Sequence, residues 1–316
     1  MTSIAETKTK HNAPAINPWL ILMVGIAAGT FAAPFIKLAQ DGGLPSPVVA
    51  SGRMLLAAII ITPYVWFAHR DELMRLDRRD LIFAMLAGVF LQTHFQLFIL
   101  ALETTSVLVV VVLLNTGPLW VAIIARILLK EQINRYVWIG LMVTIFGGMY
   151  IAFSTVSGAD AEIANPLFGA TLSIFGAIAG AATLVTSRSV RQKVSLFPYV
   201  WVVFGFGGLV GLVYTILTST PITGHPADGY FWLLMLTLVP QLIGHSSFNF
   251  VLGYISATMT SLSSQMITIT ASIAAFFMFA EVPTIGDMIG SGIIILGVLI
   301  AIVYRNHGKS TGKVKP

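Results

Sequence analysis

Cysteine is absent from this chain of 316 residues, which excludes disulfides and thiolate metal sites and leaves the redox compartment unread. Charge is scarce as well. Charged residues make up 10% of the sequence, against about 25% in ordinary globular domains, while hydrophobic residues reach 56% and the mean hydropathy is +0.88. No Asp or Glu falls in the middle of a long apolar run, so an intramembrane carboxylate for proton relay or cation binding is missing. There is no P-loop, Rossmann glycine pattern, HExxH or Gly-x-Ser-x-Gly, and neither a cofactor nor a metal site is expected. The net charge of +5 does not point to nucleic acid, because the basic residues sit at the ends of apolar runs, as orientation signals do.

What is present is apolar length. Windows of about 20 apolar residues fall near 18–38, 47–68, 81–101, 104–125, 136–154, 167–187, 197–218, 230–251, 256–279 and 286–304. The chain is therefore read as an all-α integral membrane protein with ten transmembrane helices in a lipid bilayer. The first run is too long for a secretory signal core and is expected to stay uncleaved. With the N-terminus in the cytoplasm, all but two of the 18 basic residues lie on the inside: Lys8 and Lys10, the Arg70–Arg79 cluster, Arg126, Lys130, Arg135, Arg188, Arg191, Lys193 and the tail from Arg305 to Lys315. The outside loops carry Asp41, Glu103, Asp160, Glu162, Asp228 and Glu281 instead. That asymmetry fits an even number of spans with both termini cytoplasmic.

Shifting the chain by 150 residues aligns Ala101–Gly147 with Val251–Gly297 without a gap. Ser106 then meets Ser256, Glu131 meets Glu281, Ile139-Gly140 meets Ile289-Gly290, and Gly147 meets Gly297. Further back, Met85-Leu86 meets Met235-Leu236 and Phe98 meets Phe248. Each half holds five spans, an odd number, so the second half must be inverted relative to the first. Inverted repeats of this kind place a substrate site between the halves, near the membrane midplane. The organisation expected is a cytoplasmic segment 1–17, a first repeat 18–154, an external linker 155–166, a second repeat 167–304 and a basic tail 305–316, the tail disordered.

The repeated Glu, Ile-Gly and Gly pattern resembles the EamA repeat of the drug/metabolite transporter superfamily. The basic residue in span two (Ser51-Gly52-Arg53-Met54-Leu55-Leu56-Ala57) and the proline in span four resemble it too. The resemblance covers residues 18 to 304 and implies a ten-helix basket. It also implies transport of a small metabolite, often export of an amino-acid-like compound or a drug across the bacterial inner membrane. The second copy departs from the pattern: Thr268 stands where the proline is expected, and Val202 lies near the Arg53 equivalent.

Polar residues inside the spans mark the candidate site. Gln92, Asn115, Gln241 and Gln265 each lie about 9–11 residues into a span, ~14–17 Å deep at the helical rise, which is the midplane. Any one of them reads as helix–helix glue. Four at one depth read as a shared polar cavity for a small-molecule substrate. Thr258, Ser261, Gln265, Thr268 and Ser272 form a stripe about 80° wide on span nine. The span-four equivalents Leu108, Val111, Asn115, Pro118 and Ala122 are mostly apolar, so the two walls together suit an amphipathic solute. Span eight adds His245 and Asn249 on the Gln241 face, and any proton coupling would run through His245. Pro118 lacks an N–H, which frees the carbonyl of Leu114 and makes Gly117-Pro118 a candidate conformational hinge.

Other residues read more blandly. His94 points away from Gln92 and Gln96 and reads as a packing or hydrogen-bonded histidine. Arg53 reads as snorkelling or helix capping, with a counter-charge for a substrate carboxylate as the sharper alternative. Lys37 reads as snorkelling, and Glu131 and Glu281 as loop-closing residues. The small-residue patches Gly25–Gly29 and Gly176–Gly180 permit close helix approach, within the fold or between two copies in a homodimer. An intramembrane serine hydrolase using His245 with Ser246 or Ser247 is the rival from another class. Neighbours on one helix point about 100° apart, poor geometry for a nucleophile and its base. A channel is the remaining rival, although a two-fold repeat does not build a ring of identical subunits.

Overall fold

The computed structural model describes residues 16–104, 110, 113–155, 166–279 and 285–304. Lys8, Lys10, Asp160, Glu162, Glu281 and the basic tail lie outside these. Among the described residues every regular element is helical. Seven segments are long and apolar enough to cross a membrane: Pro18–Asp41, Ser46–Ala68, Arg78–Ala101, Leu167–Arg191, Leu196–Leu217, Ala227–Val251 and Ala257–Met278. Large apolar side chains on the outer surface, such as Phe67, Leu167 and Phe277, remain exposed, as a lipid-facing surface requires.

Span one begins at α1 (Pro18–Gly29), where Asn17 Oδ1 accepts from the amide of Trp19 at 2.9 Å and Pro18 opens the first turn. It breaks at Thr30 and Phe31 and resumes as α2 (Ala32–Asp41). Gly43, at φ +88°, then turns the chain into α3 (Ser46–Ala68). A short α4 (Arg70–Met74) leads to α5 (Arg78–Thr104). The other expected spans of the first half are α6 (Gly117–Leu128), which is apolar but short, and α7 (Arg135–Thr155). The second half holds α8 (Pro166–Arg191), α9 (Leu196–Leu217) and α10 (Ala227–Leu236), which runs through a π-helical stretch, Thr237–His245, into α11 (Ser246–Val251). It closes with α12 (Ala257–Ser264), α13 (Met266–Phe279) and α14 (Ile285–Val303).

The packing is reciprocal at the offset of 150 residues. Repeat mates α7 and α14 lie against each other, as do α3 and α9. The other large contacts come in exchanged pairs, α5 on α8 and α1 on the π stretch and α11. Glycines make the closest approaches. A Cβ at Gly140 would stand 2.4 Å from Gly297 O, and one at Gly147 would stand 2.9 Å from Gly290 O. Exchanging the halves converts the first contact into the second. Gly25 lies against Gly244, Ser247 and Phe248, while Gly176 lies against Leu97 and Phe98, the mates of Ser247 and Phe248. Both small-residue patches are thus used inside the fold.

One end of the bundle gathers the connections rich in basic residues. There the Glu131 carboxylate accepts from Ala257 N and from Thr258 Oγ1, both at 2.9 Å, at the start of α12. Glu72 does the same for α9 through Ser195 N, at 2.8 Å, and Ser195 Oγ. Carboxylates placed so satisfy orphan amides and complement the helix dipole. Glu131→Ala is expected to cost about 1–2 kcal/mol of stability, on the scale of other lost N-caps. Thermal unfolding in detergent checks this, and an unchanged midpoint would mean that the clasp contributes nothing.

Candidate substrate cavity

Spans four and nine are interrupted at equivalent places. In span nine the break is at Gln265, between α12 and α13. In span four it falls at Asn115 and Thr116, and Pro118 lies in the first turn of the next helix. The expected kink at Pro118 is therefore a turn two to three residues earlier. Since span nine breaks without a proline, the interruption belongs to the repeat and not to Pro118 alone. A break frees main-chain groups, and Asn115 O accepts from Gln265 Nε2 at 3.3 Å, with Asn115 Oδ1 at 3.5 Å. Gly148 makes room beside them, because a Cβ there would stand 3.0 Å from Asn115 Nδ2.

A second pair of repeat mates meets elsewhere in the bundle. The Phe95 ring stands edge-on to His245, with centroids 5.5 Å apart. His245 ends the π-helical stretch, which contains Pro240. Pro240 cannot donate to the preceding turn, and the wider π turn shifts the register of the residues beyond it. Gln241 and His245, four apart, consequently serve different neighbourhoods.

Between these contacts lies a cavity of about 320 Å³. Its polar lining comes chiefly from Thr260, Ser261, Ser264 and Gln265 at the span-nine break, with His245 and Asn249 from span eight and Thr183 and Ser187 from α8. Span four contributes Leu114, Gly117, Pro118 and Val121, an apolar face. Of the residues expected from the sequence, His245, Gln265, Gly117 and Pro118 line this space. Asn115 abuts it through Gln265.

The other two amides lie elsewhere. Gln241 is fully buried and its Oε1 accepts from Arg53 Nε at 2.8 Å. Gln92 is packed against Gly211, and neither of its amide atoms has a hydrogen-bond partner among the described residues. The structure therefore does not gather four amides around one space. Arg53 does not snorkel: it is 2% exposed and lies over the Phe95 ring, 4.3 Å from its centre. His94 bonds Gly176 O through Nδ1 at 2.8 Å and lines the cavity as well. Helical periodicity alone turns it away, since its mate Gly244 has no side chain to betray the position. Asn249 is held locally, donating to His245 O at 2.8 Å.

A helical body with membrane-crossing segments around a largely apolar cavity with polar groups on one wall is the form of a membrane transport protein. The chain belongs to the EamA-like transporter family, whose model matches residues 17–153 and again 167–303, two copies 150 residues apart. Among similar proteins is the uncharacterized transporter YdfC of Bacillus subtilis (strain 168), 23% identical over 287 residues, covering 90% of each chain. Solute carrier family 35 member G1 of Mus musculus is 24% identical over 315 residues, covering 96% of this chain and 83% of its own. A crystal structure of 13% sequence identity superposes with a TM-score of 0.78 over 93% of this chain and 99% of that one, a likeness of fold. Members of the family are transporters, not enzymes, and the hydrolase reading of His245 with Ser246 or Ser247 falls.

Proposed function

We propose that the protein carries a small amphipathic solute, an amino-acid-like compound or a drug, across the bacterial inner membrane by alternating access. Ten spans form two inverted five-helix repeats with both termini in the cytoplasm. The observation that carries this reading is that repeat mates touch each other beside the cavity, Asn115 with Gln265 and Phe95 with His245. Mates in contact fit a two-fold axis between the halves, and the antiparallel Gly140–Gly297 and Gly147–Gly290 contacts support an axis that runs across the helices, in the membrane plane. Two halves related in this way can rock about the cavity and expose it to either side. Outward movement of the solute is the direction that the family resemblance implies.

The substrate-binding residues proposed are Gln265 and His245, with Asn115 supporting Gln265 and with Gly117 and Pro118 at the mobile break. Gln92 and Gln241 act from outside the cavity. Topology is the first test. Reporter fusions at Arg75 are expected to behave as cytoplasmic and fusions at Asp228 as external. The same location for both would break the arrangement of five spans plus five.

A further inference from the structure

Arg53 is buried within a membrane-crossing helix, yet no carboxylate of the described residues lies at ion-pair distance from it. A guanidinium in such a place calls for an anion. Its hydrogen bond to Gln241 Oε1 also fixes the orientation of that amide, because only the oxygen can accept from Arg53 Nε. What remains is a pair of buried donors, Arg53 Nη2 and Gln241 Nε2, neither with a partner among the described residues. Two donors held together through one bond, one of them charged, lack an acceptor with two oxygens and a negative charge. A carboxylate has that form.

Phe95 links this pair to the cavity wall. One side of its ring carries the Arg53 guanidinium, and the ring meets His245, which lines the cavity, at an interplanar angle of 86°. Phe95 and His245 are repeat mates, so their contact joins the two halves. The donor pair has no counterpart: the mate of Arg53 is Val203, and that of Gln241 is Leu91. An asymmetric polar pair beside a symmetric contact serves one ligand in one orientation.

We infer that Arg53 and Gln241 form a carboxylate-binding subsite behind Phe95, which the central cavity reaches when the Phe95–His245 contact opens. The inference rests on the transport reading above and narrows the solute to an amphipathic one that bears a carboxylate. Closed, the aromatic face shields the guanidinium through a cation–π contact. Open, the solute's carboxylate takes the ring's place while its apolar part stays against Leu114 and Val121.

The test uses purified protein in lipid nanodiscs and a panel of aliphatic and aromatic monocarboxylates, with and without an α-amino group, each paired with its carboxamide. At least one acid is expected to bind the wild type on the order of 10- to 100-fold more tightly than its amide, the scale of a charged hydrogen bond. Arg53→Met combined with Gln241→Leu removes both unpartnered donors and leaves packed apolar side chains, a change that buried polar pairs often tolerate. In that variant the acid should fall to the level of its amide, while the amide binds as before. Arg53→Lys keeps the charge without the fork and should fall between. Acid and amide bound alike by the wild type, discrimination that survives in the double variant, or no acid bound at all would each overturn the subsite. Failure of the transport reading shows separately, as proteoliposomes that carry no solute of any charge; flux of a neutral or cationic solute without acid binding removes the subsite alone.

Discussion

Gly297→Val is expected to cost about 3 kcal/mol or more, the upper range for overpacking a buried contact. A Cβ at this position would stand 2.4 Å from Thr144 Oγ1, 2.6 Å from Gly140 O and 2.7 Å from Thr144 N. Two of those atoms are main chain of α7 and cannot rotate aside, so α7 and α14 must separate. The Thr144 hydroxyl is itself committed, donating to Gly140 O at 2.8 Å. Gly292 lies on the same helix with nothing within 4 Å of its Cβ direction, and Gly292→Ala should be neutral or slightly stabilising, because alanine favours helix by up to about 1 kcal/mol. Thermal unfolding and size-exclusion chromatography of the two variants check the contrast. A monodisperse Gly297→Val protein with an unchanged midpoint would mean that these helices do not meet as described.

Gln265→Ala is expected to weaken solute binding by about 1–3 kcal/mol, or 5- to 150-fold, with insertion and thermal stability nearly intact. The bonds from Gln265 Nε2 to Asn115 are long, at 3.3 and 3.5 Å, and contribute little to holding the helices together. Its side chain lines the cavity, where a solute's polar groups replace water. Asn115→Ala should do less. The nearer acceptor for Gln265 is the main-chain carbonyl, which the substitution keeps, and the Asn115 side chain does not line the cavity. Binding measured on purified protein separates the possibilities. If stability falls while the surviving protein binds normally, Gln265 is helix glue.

The sequence carried the helical membrane class, the repeat and the family because these rest on extended patterns: apolar windows, charge at their ends and identities at one fixed offset. Directions of individual side chains were less legible. A helical wheel drawn through span eight puts Gln241 and His245 on one face, but Pro240 and the π turn rotate the helix between them, so one meets Arg53 and the other the cavity. Span nine reads as an unbroken stripe, although the break at Gln265 divides it: Ser261 and Gln265 line the cavity, while Thr258 bonds Glu131. Arg53 gives no sign of burial, because its partner is an amide 188 residues away and not a charge that a pattern search would pair with it. The Phe95–His245 contact is present at the offset of 150, yet unlike residues at equivalent positions do not register as a repeat.

The absence of cysteine makes alternating exposure of the cavity directly measurable. Ser264→Cys places a single thiol on the cavity lining. Labelling by a membrane-impermeant maleimide is followed in right-side-out and in inside-out membrane vesicles, with solute gradients imposed in each direction. Labelling from both sides is expected, with the rate on one side falling as the rate on the other rises when the gradient is reversed. Labelling from one side only under every gradient, or from neither side, would contradict it.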